Sequence, residues 1–156
     1  MSVLYDLLHN PFLITSIASW GLAQVIKTII HTIVYHEFDW TRLIGDGGMP
    51  SAHSATVSSL AMVTGLHFGF SSFEFAISAL LAIIVCHDAS GVRLETGKHA
   101  AVLNEIICIF EKRPGEDYDL EANLKEFVGH TNLQVCVGIA IGCLNALFIH
   151  FVFLQP

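Results

Sequence analysis

Residues 133–154 read LQVCVGIAIGCLNALFIHFVFL, and this run of 22 residues contains no Asp, Glu, Lys or Arg. An α-helix rises about 1.5 Å per residue, so about 20 apolar residues are enough to cross the hydrocarbon core of a bilayer. The strongly polar members of the run are limited to Gln134, Asn145 and His150. The run therefore predicts a transmembrane helix.

The remainder of the 156-residue chain has a composition that agrees with this prediction. Hydrophobic residues make up 53% of the sequence and charged residues 13%, whereas soluble domains contain about 25% charged residues. Three further apolar stretches precede the run, and two serines between the second and third predict a tight hairpin. We therefore predict an all-α, single-domain helical integral membrane bundle with about four spans (11–32, 53–70, 73–91 and 133–154) and an additional interfacial helix.

The distribution of positive charge predicts how this bundle is oriented. Four crossings bring all seven Lys and Arg residues to one side of the membrane, most of them in a polar segment at residues 92–131. Loops rich in Lys and Arg stay in the cytoplasm, so we expect a bacterial-type plasma membrane protein with this side in the cytoplasm. The net charge of −7 argues against nucleic-acid binding, which needs clustered positive charge. The seven residues are Lys27, Arg42, Arg93, Lys98, Lys112, Arg113 and Lys125.

The segment GGMPSAHS at residues 47–54 has the pattern of a helix start. Two glycines and Pro50 precede Ser51, which is a preferred N-cap residue, and a long apolar run follows. This register puts His53 in the first helical turn, where unpaired backbone N–H groups and the helix dipole favour an anion. The segment therefore predicts a phosphate site, with ordinary capping at the membrane surface as the alternative.

A second polar cluster follows the third apolar stretch on the same side. HDASGVR at residues 87–93 is followed by GKH at 97–99, so Arg93 and His99 are six residues apart. Arg presents a planar fork that suits phosphate oxygens, and His acts as nucleophile, acid or base near neutral pH. The alternative is a positively charged flank of the preceding span.

Two further polar positions reach the same membrane depth. Lys27 shares a helix face with Gln24 and His31, so it either extends to the interface or belongs to a polar stripe inside the bundle. His130 lies in GHT at residues 129–131, just before the last span, and this segment is either part of a site or a capping turn. A site made by these segments would collect side chains from distant parts of the sequence.

The acidic and cysteine residues have no metal-ligand spacing. We interpret the carboxylates as solvated or ion-paired, and the four cysteines, which contain no CxxC pair, as small apolar residues of the core. No metal and no cofactor is therefore predicted. The carboxylates weighed as metal ligands are Asp46, Asp88, Glu105 and Glu126.

The sequence resembles a known membrane family over nearly its whole length. GGMPSAHSA at residues 47–55, followed by DASGVR-x5-H at 88–99, is similar to the divergent branch of the type 2 phosphatidic acid phosphatase family, which is related to vanadium-dependent haloperoxidases. That family has three phosphate-site motifs: a Lys and an Arg ahead of a Pro, a PSGH segment, and an SR-x5-H-x3-D segment. The PSAH segment at 50–53 matches the second motif with Ala for Gly. Arg93 and His99 match the spacing of the third.

The chain departs from the family pattern at three places. Val92 replaces the Ser of the third motif, Leu103 occupies the position of its relay Asp, and the Arg-Pro pair of the first motif is absent. The missing groups have only loose substitutes in this sequence. These are Lys27 and Arg42 for phosphate binding, and Asp88, Glu95 and Asn104 as supporting residues.

The resemblance implies hydrolysis of a lipid phosphate or a prenyl diphosphate through a phosphohistidine, without a metal. By family analogy His99 is the nucleophile and His53 the general acid, and His130 is an alternative nucleophile because the relay Asp is missing. The lipid tail of the substrate is expected between the helices. The phosphate-binding residues are Lys27, Arg42, Ser51 and Arg93.

Two other functions compete with this one. A non-catalytic protein that binds or transports a lipid phosphate would keep the anion site while losing the nucleophile, and the altered third motif favours it. A structural membrane subunit would leave the one-sided clustering of His and Arg unexplained. The expected partners are membrane lipids and the lipid phosphate or isoprenoid diphosphate substrate, and formation of a homo-oligomer stays open.

Overall fold

The computed structural model describes residues 3–38, 40, 47–111, 124 and 129–154, and the regular structure in these ranges is entirely helical. Within these ranges six α-helices follow one another, and the last continues into a π-helical turn. The bounds are α1 Val3–Leu8, α2 Pro11–Tyr35, α3 Ala52–Phe68, α4 Phe73–Ser90, α5 Val92–Glu111, α6 Asn132–Ile149 and the π-helical turn His150–Leu154.

Side-chain caps fix the first residue of four helices. Asn10 caps α2, whose first residue is Pro11, and this is the position where a helix tolerates proline. Ser51 and Ser72 cap α3 and α4, and Thr131 caps α6 through a capping box. The N-cap predicted at Ser51 is confirmed.

The helix α3 occupies the centre of the bundle and packs against α2, α4 and α6. Its buried residues are all small, and Val63 is the largest of them. Small side chains let the neighbouring helices approach closely. The chain order α2, α3, α4 and α6 alternates in direction, so the N-terminal ends of α3 and α6 lie at the same end of the bundle as the C-terminal ends of α2 and α4.

The distribution of polar and apolar residues is that of a protein in lipid. The fully buried side chains include Thr15, Ser19, Ser54 and Ser59, whose hydroxyls donate to backbone carbonyls or to another hydroxyl. Large apolar side chains lie on the outer faces of the long helices instead. Examples are Ile17, Ile29 and Ile33 on α2, Leu80, Ile83 and Ile84 on α4, and Leu144 and Phe148 on α6.

Three stretches of the described helices are long and apolar enough to cross a membrane: Pro11–Tyr35, Phe73–Ile109 and Asn132–Leu154. The 17 residues of α3 extend about 25 Å. Because α3 is surrounded by other helices, its surface needs no apolar side chains to face lipid. The chain is therefore an all-α helical membrane protein, in which α3 stands at the position of the predicted second span and α5 at that of the additional helix.

Two glycines of α6 allow its backbone to touch α3. A Cβ atom at Gly138 would overlap the carbonyl oxygen of Ser51, and one at Gly142 would overlap the carbonyl oxygen of Ala55. These glycines are four residues apart, which is the spacing of the GxxxG packing motif. The contact holds the N-terminal half of α3 against α6 and so fixes the level at which the two helices begin.

Candidate active site

Three helix ends meet at one end of the bundle. The backbone N–H of Ser51, before α3, donates to the carbonyl oxygen of Gln134 in α6 at 3.1 Å. The backbone N–H of His130, before α6, donates to the carbonyl oxygen of Ala89 at the end of α4 at 3.0 Å. These hydrogen bonds join segments that are distant in sequence, and they satisfy backbone groups that helix ends leave unpaired.

A cavity of about 250 Å³, called the polar cavity below, opens where these ends meet. Its polar walls are His53, Asp88, Arg93 and His130, and its apolar walls are Ile84, Val85 and Ala89. The structure therefore brings together four of the residues singled out in the sequence. They come from α3, α4, α5 and the segment before α6.

The two imidazole rings of the polar cavity lie close to each other. The ring centroids of His53 and His130 are 6.4 Å apart and the rings are tilted by 53°. His53 is exposed in the first turn of α3, whereas His130 is 3% exposed. Because α3 and α6 both begin here, their N-terminal dipoles favour negative charge in the cavity.

The guanidinium of Arg93 is held by the carboxylate of Asp88. Arg93 Nε donates to Asp88 Oδ2 at 2.7 Å, and both side chains are a little under half exposed. An ion pair with this exposure contributes at most about 1 kcal/mol, so a phosphate can compete for the guanidinium. Within the described ranges, the two terminal nitrogens of Arg93 have no hydrogen-bond partner.

Gln134 is a neighbour of the site for which the sequence predicted no role. Its side-chain Oε1 accepts a hydrogen bond from the backbone N–H of Thr131 at 3.0 Å and lies 3.4 Å from His130 Nδ1. The Thr-x-x-Gln pattern at 131–134 is a capping-box signal, and it would have placed this amide beside the start of α6. The pattern alone does not show that His130 also lies there.

The family-type nucleophile and its supports lie elsewhere. His99 is exposed on α5 and does not line the polar cavity. Glu95 accepts a hydrogen bond from Lys98 Nζ at 2.7 Å, and the side-chain amide of Asn104 binds the backbone carbonyl and N–H of Leu124 at 2.9 and 3.1 Å. The catalytic and supporting roles of His99, Glu95 and Asn104 stay predictions.

The phosphate-binding residues predicted outside the third motif are also dispersed. Ser51 is fully buried, and its hydroxyl accepts from the backbone N–H and the hydroxyl of Ser54. Lys27 is 5% exposed, so of its two predicted positions the structure has the one inside the bundle. It lines a separate cavity of about 220 Å³ with His31 and residues 47–49. Arg42 lies outside the described residues.

A third and larger cavity lies between α3, α4 and α6. This apolar cavity has a volume of about 470 Å³ and almost no polar wall. Cys86 lines it, and the preceding residue, Val85, lines the polar cavity. Its walls are Ser58, Ala61, Met62, Phe70, Phe75, Ala79, Ala82, Ile83, Cys86, Ile139 and Cys143.

Metal ligands do not cluster in the part of the chain that the structure describes. There, no three His, Cys, Asp or Glu side chains come together in a way that suits a metal ion. The side chains of the polar cavity offer two imidazoles for proton transfer or nucleophilic attack, and a guanidinium for an anion.

Comparisons with known proteins agree with the membrane fold. The sequence model of the family described as the Divergent PAP2 family matches residues 8–145. The uncharacterized membrane protein YuiD of Bacillus subtilis (strain 168) is 37% identical over 157 residues, which cover 96% of this chain and 99% of that protein. No solved structure matches the chain. The family match includes every residue that lines the polar cavity.

Proposed function

Because this chain belongs to the Divergent PAP2 family, we propose that it is a membrane phosphatase that hydrolyses a lipid phosphate or a prenyl diphosphate. The observation that carries the proposal is the meeting of His53, His130 and Arg93 in one cavity. Phosphoryl transfer through a phosphohistidine needs a nucleophilic imidazole, an acid and a cation for the phosphate oxygens. The polar cavity supplies all three.

In the first half of the reaction, His130 is the nucleophile. A ring nitrogen of neutral His130 forms a bond to phosphorus while the bond from phosphorus to the lipid oxygen, or to the leaving phosphate of a diphosphate, breaks. Protonated His53 gives its proton to the departing oxygen. The terminal N–H groups of Arg93 bind the non-bridging oxygens, and the N-terminal dipoles of α3 and α6 offset the remaining negative charge.

In the second half, water releases the phosphate. His53, now neutral, accepts a proton from the attacking water as its oxygen bonds to phosphorus. The nitrogen–phosphorus bond breaks, inorganic phosphate leaves, and His130 returns to its neutral form. His53 is then protonated again and ready for the next substrate.

The apolar cavity supports a substrate with a hydrocarbon chain. Its walls exclude polar groups almost entirely, and its volume of about 470 Å³ is large enough for part of an acyl or prenyl chain. Val85 lines the polar cavity, and Cys86, the next residue of α4, lines the apolar cavity. One lipid molecule can therefore place its headgroup in the polar cavity and its hydrocarbon chain near the apolar cavity.

A non-catalytic lipid-phosphate binder is the second candidate. This candidate is favoured by the position of His99. His99 is six residues after Arg93, as in the third family motif, but it does not line the polar cavity. A protein of this kind would hold the headgroup with Arg93 and the helix N-termini and would not break the ester bond. Release of inorganic phosphate separates the two candidates.

The experiment measures phosphate release from lipid phosphates and prenyl diphosphates by the purified protein in lipid nanodiscs. We expect His53→Asn and His130→Asn to lower kcat at least about 100-fold, since a positioned acid alone contributes about 100-fold or more. Arg93→Gln is expected to raise KM and lower kcat together. His87→Asn is the matched control, because His87 is an exposed residue of α4 that does not line the polar cavity.

A covalent trap identifies the nucleophile directly. Denaturation of the protein during turnover of a labelled substrate is expected to leave an acid-labile phosphate on His130, and His99→Asn is expected to keep this label. Full turnover by both His53→Asn and His130→Asn would remove the catalytic assignment. Tight binding of lipid phosphate without any phosphate release would establish the binder instead.

A further inference from the structure

The side chain of Gln134 contacts the ring of His130, the proposed nucleophile. Gln134 Oε1 and His130 Nδ1 are 3.4 Å apart. The same oxygen accepts the Thr131 backbone N–H at 3.0 Å, and the backbone carbonyl of Gln134 accepts the Ser51 N–H at 3.1 Å. One residue therefore links the histidine before α6 to the first turn of α3, which carries His53.

The hydrogen bond to Thr131 decides which atom of the amide faces the histidine. A backbone N–H is a donor, so the side-chain atom that it meets is the carbonyl oxygen of Gln134 and not the NH₂ group. That oxygen can only accept, so a hydrogen bond with it places the proton of neutral His130 on Nδ1. The lone pair of the ring is then on Nε2.

We infer that Gln134 is a positioning residue, which holds His130 in the tautomer that presents Nε2 to phosphorus. This inference rests on the proposed function for its catalytic meaning. The family-type relay group at position 103 is a leucine that is 48% exposed, so no carboxylate is supplied from there. The amide of Gln134 fixes the ring direction as a carboxylate would, but it stabilises the cationic ring less.

Three variants separate the histidine contact from helix capping. Gln134→Leu removes both the contact with His130 and half of the capping box. Gln134→Glu keeps an acceptor for both N–H groups. Thr131→Ala removes the cap hydroxyl and leaves the Gln134 amide in place, so it is the control for a loss of helix stability alone.

We expect Gln134→Leu to lower kcat at least about 10-fold with KM within about threefold of the original value, and Thr131→Ala to change neither by more than about twofold. Gln134→Glu is expected to retain activity and to move the lower pH limit of activity upward, because a carboxylate favours the protonated ring. Among the residues that the structure describes, the other titratable or charged groups of the polar cavity are His53 from α3, Asp88 from α4 and Arg93 from α5.

A second measurement does not depend on turnover. Nitrogen NMR of ¹⁵N-histidine-labelled protein, with the His130 signals assigned by their loss in His130→Asn, reports which ring nitrogen carries the proton. We expect the Nδ1–H tautomer in the original protein and in Thr131→Ala, and a mixture of tautomers in Gln134→Leu. An unchanged tautomer in Gln134→Leu overturns the inference, whatever the activity.

The two measurements also distinguish this inference from the proposed function. A tautomer change in Gln134→Leu, together with no phosphate release by the original protein, supports the hold of Gln134 on the ring and overturns the phosphatase assignment alone. A tautomer change with an equal loss of kcat in Thr131→Ala and Gln134→Leu overturns the catalytic meaning of the contact. A lower kcat and a changed His130 tautomer in Gln134→Leu, with neither change in Thr131→Ala, support both the inference and the proposed function.

Discussion

Asp88 has two opposite effects within the polar cavity. Its carboxylate holds Arg93 through a 2.7 Å hydrogen bond, and this contact orients the guanidinium toward the cavity. The same negative charge repels a phosphate that enters beside it. Since both side chains are nearly half exposed, the ion pair adds little stability, and its main consequence is for anion affinity.

We therefore expect Asp88→Asn to bind inorganic phosphate about tenfold more tightly than the original protein. The amide removes one negative charge from the cavity wall and keeps a hydrogen-bond acceptor for Arg93. Calorimetric titration with phosphate, or competitive inhibition of lipid phosphate hydrolysis, measures the change. Glu74→Gln removes one charge from the other end of α4 and is expected to leave the affinity unchanged; equal or weaker binding by Asp88→Asn would contradict the repulsion.

The geometry of α5 explains why Arg93 and His99, which match the family spacing, do not meet in the polar cavity. Both residues belong to one continuous helix, α5. Successive residues of an α-helix are about 100° apart, so residues separated by six positions differ by about 240° around the axis. When Arg93 faces the polar cavity, His99 therefore points away from it, and His130 supplies the second imidazole through a tertiary contact.

At the scale of the helices, the contact between α3 and α6 decides the geometry of the site. Gly138 and Gly142 let the α6 backbone touch the carbonyl groups of Ser51 and Ala55. Near the other end of α6, Asn145 Nδ2 donates to Ser19 Oγ of α2 at 2.8 Å. The height of α6 relative to α3 sets the separation of His53 and His130, because each lies next to the start of its helix.

Gly142→Ala tests this close approach. The added methyl group would overlap the Ala55 carbonyl and the Ser58 hydroxyl, and overpacking of this kind costs about 1–3 kcal/mol. We expect a lower midpoint of thermal unfolding in detergent for this variant. Gly21→Ala is the matched control, since a Cβ at Gly21 meets no atom within 4 Å and alanine favours the helix. Equal midpoints for the two variants would show that the α3–α6 contact is looser than described.

At the scale of the whole molecule, the polar cavity lies at one end of the bundle and the α3–α4 hairpin at the other. Lys98 belongs to α5, which begins at the cavity end, and Ser71 lies in the hairpin between α3 and α4. The outer faces of the long helices between these ends are apolar. The positive-inside rule predicts that the cavity end, to which the Lys and Arg residues of the sequence were assigned, faces the cytoplasm, and this orientation remains a prediction.

Cysteine labelling of membrane vesicles measures the orientation. In a background where the four native cysteines are replaced by alanine, we expect an impermeant maleimide to react with Lys98→Cys in inverted vesicles and with Ser71→Cys in right-side-out vesicles. Both side chains are exposed, so access depends on the side of the membrane. Labelling of both positions from the same side would contradict a crossing by α4, and the reverse pattern would put the cavity on the outer face.

The sequence by itself determined the class of the fold and the start of α3. Apolar runs of sufficient length predicted membrane helices, and Ser51 predicted the start of α3, because these signals act within one turn or one span. The polar members His53, Arg93 and His130 were identified one by one as candidates for the site. Their local sequences contain the chemistry that each side chain offers.

Only the tertiary structure decided which of these candidates meet. The packing of α6 on α3 through Gly138 and Gly142 brings His130 to His53, while Lys27 faces a different cavity and His99 lies on another face of α5. Residues 53 and 130 are far apart in the chain, and their distance depends on the direction and height of separate helices. Spacing along the sequence contains no information on that distance, because it is fixed by contacts between helices.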